Sequence, residues 1–121
     1  VGTPFDTLET MEKCLTEAIK LNMDFAHFHK FTPYPGSELY KMLTAQGYRF
    51  DITRWESQLD MKGTILYTPP SMTEREYREW LVRAHRRYYL RARYIARQLS
   101  RIRSFEDARR LWNGFLAIAG L

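Results

Sequence analysis

Leu8, Met11, Leu15, Ala18 and Ile19 recur at the three-and-four spacing of one helix face, with Glu9, Glu12, Lys13, Glu17 and Lys20 between them. The pattern predicts an amphipathic helix running to about Leu21 and ended by Asn22, its acids early and its lysines late as the helix dipole favours. Asp6, with Glu9 three residues on, reads as a box-like N-cap for it. Residues 24–31, DFAHFHKF, then change period. Alternation puts Phe25, His27, His29 and Phe31 on one face and Ala26, Phe28 and Lys30 on the other, which predicts a short aromatic strand.

A stiff corner follows. Pro33 and Pro35 fix two φ angles and push the residues before them into extended geometry, and Gly36 loosens the backbone just ahead of Ser37. Ser37 caps a helix predicted over residues 38–46, with Leu39, Met42 and Leu43 inward and Gly47 where helices commonly stop. Tyr48, Phe50 and Ile52 alternate like a short strand, Trp55 and Leu59 suggest a turn of helix, and residues 64–68 are β-prone until Pro69 and Pro70 halt them. Ser71 and Thr73, with Glu74 and Glu76 three residues beyond each, form two overlapping capping boxes. The stripe Tyr77, Trp80, Leu81, Ala84 and Tyr88 predicts a helix to about Leu90. A second continues through Tyr94, Ile95, Leu99 and Ile102. A third opens at Ser104 and Asp107, with Phe105, Ala108, Leu111, Trp112, Phe115, Leu116 and Ala119 on its apolar face.

The chain thus changes character near Pro69 and Pro70, from α/β alternation to an arginine-rich helical tail. Between Arg83 and Arg110 stand ten arginines against Glu106 and Asp107, an excess larger than the whole chain's net charge of +5. Such a surface suits nucleic acid, an anionic membrane face or an acidic partner domain, or is a solvated helix face whose long side chains cover apolar stems. The 121 residues, 45% of them hydrophobic, suffice for one core. No stretch approaches the roughly 18 apolar residues of a membrane span, so no transmembrane segment is expected and the protein reads as soluble. A single cysteine, Cys14, excludes an internal disulfide framework, fits a reducing cytoplasmic compartment, and reads as a small packing residue beside the first helix's stripe. The opening Val1-Gly2-Thr3-Pro4 has no initiator Met and begins in loop chemistry, which suggests a piece of a longer protein. His27 and His29 form a His-x-His pair able to supply two metal ligands, but with no third ligand nearby they read as solvent-lining or partly buried side chains.

Gly2-Thr3-Pro4-Phe5-Asp6-Thr7 with Glu9-Thr10, the step at Asn22, Asp24, Phe25 and Ala26, and Thr32-Pro33-Tyr34-Pro35-Gly36-Ser37-Glu38-Leu39-Tyr40 together resemble the later half of a radical S-adenosylmethionine barrel of the cobalamin-binding subgroup. The tail, with Ser71-Met72-Thr73 and Tyr88-Tyr89-Leu90-Arg91-Ala92-Arg93-Tyr94, is similar to the same subgroup. Phe5 stands where that pattern has glycine. Ala92 stands where it has proline, so a helix passing unbroken through that point is expected.

The resemblance implies an α/β fragment, the late strands and helices of a partial (β/α) barrel over residues 1–47, a connecting segment over 48–70, and a basic helical extension over 71–121. It implies a parent enzyme that cleaves S-adenosylmethionine reductively to a 5'-deoxyadenosyl radical at a [4Fe-4S] cluster, with cobalamin as a further cofactor. Gly2, Thr3, Thr32, Pro33 and Tyr34 would bind the cofactor, and His27 and His29 would line the substrate space. No residue of the chain is assigned a catalytic role, and no metal is expected on it. The cluster needs three cysteines in a C-x-x-x-C-x-x-C loop. With only Cys14 the chain is expected to carry no cofactor alone and to be inactive alone. Its partners would then be the missing N-terminal part of the same polypeptide and a small-molecule substrate. The oxidative cyclases of magnesium-protoporphyrin IX monomethyl ester in bacteriochlorophyll synthesis are the similar family, which makes that substrate a tetrapyrrole, and methylases share the motifs. The alternative is a basic helical module for nucleic acid, with Tyr88, Tyr89 and Tyr94 interleaved among arginines for base stacking.

Overall fold

The computed structural model describes residues 1–51 and 63–119, which form five helices: α1 (Leu8–Leu21), α2 (Glu38–Ala45), α3 (Glu74–Tyr89), α4 (Ala92–Leu99) and α5 (Phe105–Ala119). Among the described residues there is no strand and no sheet, so the chain is all-helical here and not an α/β fragment of a barrel. The turn of helix expected around Trp55 and Leu59, and the Ile52 end of the short strand before it, lie outside the described residues.

The strand expected over residues 24–31 illustrates why the α/β expectation fails. Its alternation is present in burial, since Phe28 and Lys30 are buried while Phe25, His27 and His29 are exposed. What it lacks is a ladder. A strand exists by pairing backbone groups with a neighbouring strand, whereas here side-chain hydroxyls from α3 do part of that work. The Tyr89 hydroxyl accepts from the Ala26 N–H at 3.1 Å and donates to the Ala26 carbonyl at 2.7 Å. The Phe31 N–H donates to the Tyr77 hydroxyl at 3.1 Å, and the Tyr88 hydroxyl donates to the Met23 carbonyl at 2.8 Å. Residues 64–68 meet the same segment through side chains, with the Lys30 ammonium on the Thr64 carbonyl at 3.4 Å and the Phe31 and Tyr67 rings edge-on.

One core joins α1, α3 and the extended segments. Met11 and Leu15 of α1 pack with Phe28, Ile65, Met72 and the α3 stripe Tyr77, Trp80, Leu81, Ala84 and Tyr88. Trp80, Tyr77 and Tyr88 are the largest side chains fully removed from water. Each contributes roughly 2–3 kcal/mol of transfer free energy, so α3 is the element the rest leans on. Cys14 is exposed, because its position on α1 falls just outside the buried stripe.

The helix starts show which capping group wins at each end. Thr7 caps α1 in a reciprocal pair with Thr10, while Asp6 turns back to accept from the Gly2 and Thr3 N–H groups, both at 2.9 Å. Thr73 and Glu76 form the capping box of α3, and Ser71 instead donates to the Asp6 carbonyl at 2.7 Å, tying the two helix entries together. The helix does not pass unbroken through Ala92. It stops at Tyr89, and α4 starts afresh after Arg91, whose guanidinium folds back onto the Tyr88 carbonyl and sits 4.0 Å over the Tyr88 ring.

Candidate functional site

The residues nominated for cofactor contact fall on two corners that meet at one side chain. The Tyr77 hydroxyl donates to the Val1 carbonyl at 2.6 Å and accepts from the Phe31 N–H at 3.1 Å. Gly2 and Thr3 therefore leave the same point as Thr32, Pro33 and Tyr34. Burial pushes the Tyr77 phenol up to about 12, so it stays protonated and able to serve both partners.

The corners differ in exposure. Gly2 is buried at φ +86°, and a Cβ there would lie 2.0 Å from the Tyr77 hydroxyl, so Tyr77 fills the space its missing side chain opens. Thr3 is turned inward, its N–H and Oγ1 both on the Asp6 carboxylate. Burial works to raise the Asp6 pKa, but the donors from Thr3, Gly2 and Thr10 outweigh it and hold the group below its usual 3.8. In the second corner Pro33 is fully buried and Thr32 half-buried, while the Tyr34 ring is 55% exposed. The Tyr34 carbonyl accepts from the Ser37 N–H and Oγ, which locks the turn into α2.

His27 and His29 share a face as alternation predicts, with ring centroids 3.7 Å apart. The sequence reading omitted the third histidine of the patch, His85, whose ring stands edge-on to His27 at 5.8 Å. His85 lies one turn beyond Leu81, between Ala84 and Tyr88 of the buried stripe of α3, and its four-residue spacing from Leu81 is the signal that places it there. Among the described residues no group of three or more His, Cys, Asp or Glu side chains is placed to hold a metal. The cluster implied by the resemblance does not fit this chain either: its one thiol, Cys14, is exposed on α1, whereas a cluster takes three thiolates.

Several arginines of the tail are turned onto the protein itself. Arg83 and Arg87 clasp Glu12 of α1 at 3.1 and 2.7 Å. Arg97 donates to the Asn22 and Met23 carbonyls and pairs with Asp24, which Arg101 also holds at 2.7 Å. Among the described residues no helix is long and apolar enough to cross a membrane. No family model matches the chain, and neither a curated protein nor a solved structure matches it.

Proposed function

We propose that the chain is part of a radical S-adenosylmethionine enzyme, and that the face where its two proline-bearing corners meet touches the nucleoside end of that cofactor. The observation that carries this reading is the Tyr77 hydroxyl, which holds the two corners at one point. The motif likeness needs both loops, and they are neighbours in space although some thirty residues apart in the chain. The reading takes no sheet from this chain.

Within that face the roles divide by exposure. Gly2 and Thr3 are committed to Tyr77 and Asp6, so they shape the first corner without reaching outward. Half-buried Thr32 and the exposed Tyr34 are the groups assigned to the ligand, on a backbone anchored by buried Pro33. A phenol ring presented in this way suits stacking on an adenine, worth about 1 kcal/mol. The iron-sulfur cluster, any cobalamin and most contacts to a tetrapyrrole ester would come from the remainder of the polypeptide. The nucleic-acid alternative has less support, because Arg83, Arg87, Arg97 and Arg101 are already engaged with Glu12, Asn22, Met23 and Asp24.

The test uses the full polypeptide that contains this chain, loaded anaerobically with iron and sulfide and given S-adenosylmethionine and dithionite. Formation of 5'-deoxyadenosine is expected, and Tyr34→Ala should raise KM for S-adenosylmethionine several-fold with kcat little changed. A loaded cluster that yields no 5'-deoxyadenosine overturns the proposal.

A further inference from the structure

A groove of about 920 Å³ runs between the 24–31 segment, the end of α3, α4 and the inner side of α5. This lies within the roughly 300–1,000 Å³ of small-molecule sites. Its walls are aromatic and aliphatic, with Phe25, Tyr89, Tyr94, Trp112 and Phe115 among them, and Trp112 and Phe115 stack at 5.8 Å. It is distinct from the corner face around Tyr77, and nothing argued for that face depends on it.

One wall residue has a polar atom with nothing to bond. His85 is 6% exposed, and its Nδ1 lies 2.9 Å from the Leu81 carbonyl, an acceptor, so Nδ1 carries the proton and donates. Nε2 is then the unprotonated acceptor, and it is buried without a partner. Burial keeps the ring neutral by lowering its pKa, which preserves that acceptor. A buried acceptor left unmade costs on the order of one hydrogen bond, so a donor that reached it would be favoured. The exposed His27 ring stands edge-on to the His85 ring at 5.8 Å, on the side of the groove. The charged groups of the lining are matched within the protein, Arg101 on Asp24 at 2.7 Å and Arg110 beside Asp107.

We propose that this groove binds an aromatic molecule carrying an N–H or O–H donor for His85 Nε2. The aromatic walls set the class of molecule, and the lone acceptor asks for the donor.

Anilinonaphthalene sulfonate, aromatic and with an anilino N–H donor, serves as the probe. Titrated into the folded chain, it should saturate at one dye per chain and shift the His85 Nε2 resonance in imaging of the imidazole nitrogens by NMR, leaving Nδ1 in place. His85→Phe, which keeps a ring and removes the acceptor, should weaken binding about tenfold, the equivalent of one hydrogen bond. Trp112→Ala should weaken it as well, and Lys13→Ala on the far side of α1 should not. Unsaturable uptake, equal affinity in a folded His85→Phe, or exclusion of the dye by a second copy of the chain in sedimentation would each overturn the proposal. If His85→Phe fails to fold, the nitrogen shift in the unaltered protein decides.

Discussion

Both backbone polar groups of Ala26 are satisfied by one side-chain oxygen, the hydroxyl of Tyr89, which accepts from its N–H at 3.1 Å and donates to its carbonyl at 2.7 Å. Tyr89 lies on a helix, so α3 stands in for the neighbouring strand that residues 24–31 lack. Tyr88 does the same for Met23, and Tyr77 for Phe31 and Val1. The fold therefore depends on three phenol groups more than on their ring burial alone.

Tyr77→Phe keeps the ring in the core and removes only the oxygen. The Phe31 N–H and the Val1 carbonyl then lose their shared partner in a part-buried place. A loss of about 1–3 kcal/mol is expected, read as a lower urea midpoint with an unchanged slope. An unchanged midpoint would mean that water replaces the hydroxyl at no cost and that the two corners are not held together by it.

Gly2 and Gly36 allow a controlled comparison. Both have positive φ, +86° and +89°, so alanine at either carries similar backbone strain. Around Gly36 the space is open, while at Gly2 the new methyl would lie 2.0 Å from the Tyr77 hydroxyl and 2.3 Å from its Cζ. Gly36→Ala should cost about 1 kcal/mol, and Gly2→Ala a further 1–3 kcal/mol or so for the overpacking. Equal melting temperatures for the two variants would show that Tyr77 moves aside freely.

The helices were legible because their signals are local. The stripe Tyr77, Trp80, Leu81, Ala84 and Tyr88 was read from spacing alone and is the buried face of α3. Boundaries were harder where several caps compete, as when Thr7 and not Asp6 takes the end of α1, and when Thr73 forms the box while Ser71 reaches Asp6. The sheet was misread because alternation reports which side chains face inward, not what the backbone bonds to. Phe28 and Lys30 point in as a strand's would, with tyrosine hydroxyls supplying the partners. The groove was invisible because His85, Phe25 and Trp112 lie far apart in sequence and converge only through the packing of α5 on α3.

Mild acid should weaken the fold before the carboxylates titrate. Burial lowers the pKa of His85, and burial followed by the neighbouring His27 and His85 lowers that of His29. A histidine depressed in the folded state is disfavoured when charged, so its contribution is whole above the unfolded value of about 6.5 and is lost as pH falls through the folded value. Asp6 and Glu12 are also depressed, but their contributions disappear only below about pH 4. Melting temperature should thus decline between about pH 7 and pH 5, and His85→Phe should flatten that decline. A curve flat down to the carboxylate range would remove the histidine patch as its cause.

The attachment of α4 should prove electrostatic and separable from the core. None of its residues is buried, its N-cap position, Arg91, makes no side-chain capping bond, and its ring packing on α3 is that of Tyr94 against Tyr88 and Tyr89. The rest of its attachment is a set of charged contacts to the turn after α1. Arg91 reaches Asn22, Arg97 reaches the Asn22 and Met23 carbonyls, and Asp24 receives both Arg97 at 3.1 Å and Arg101 at 2.7 Å. Asp24 is exposed, and its pKa is lowered chiefly by the Arg101 hydrogen bond, so the charge is present at neutral pH but screened by salt. Asp24→Asn should therefore speed hydrogen exchange across residues 92–99 while α3 keeps its protection, and added salt should do the same to the unaltered protein. Because α4 leads into α5, which forms one wall of the groove, dye uptake there should fall in parallel. Loss of protection in α3 together with α4 would show instead that the two helices unfold as one unit and that the arginine contacts belong to the core.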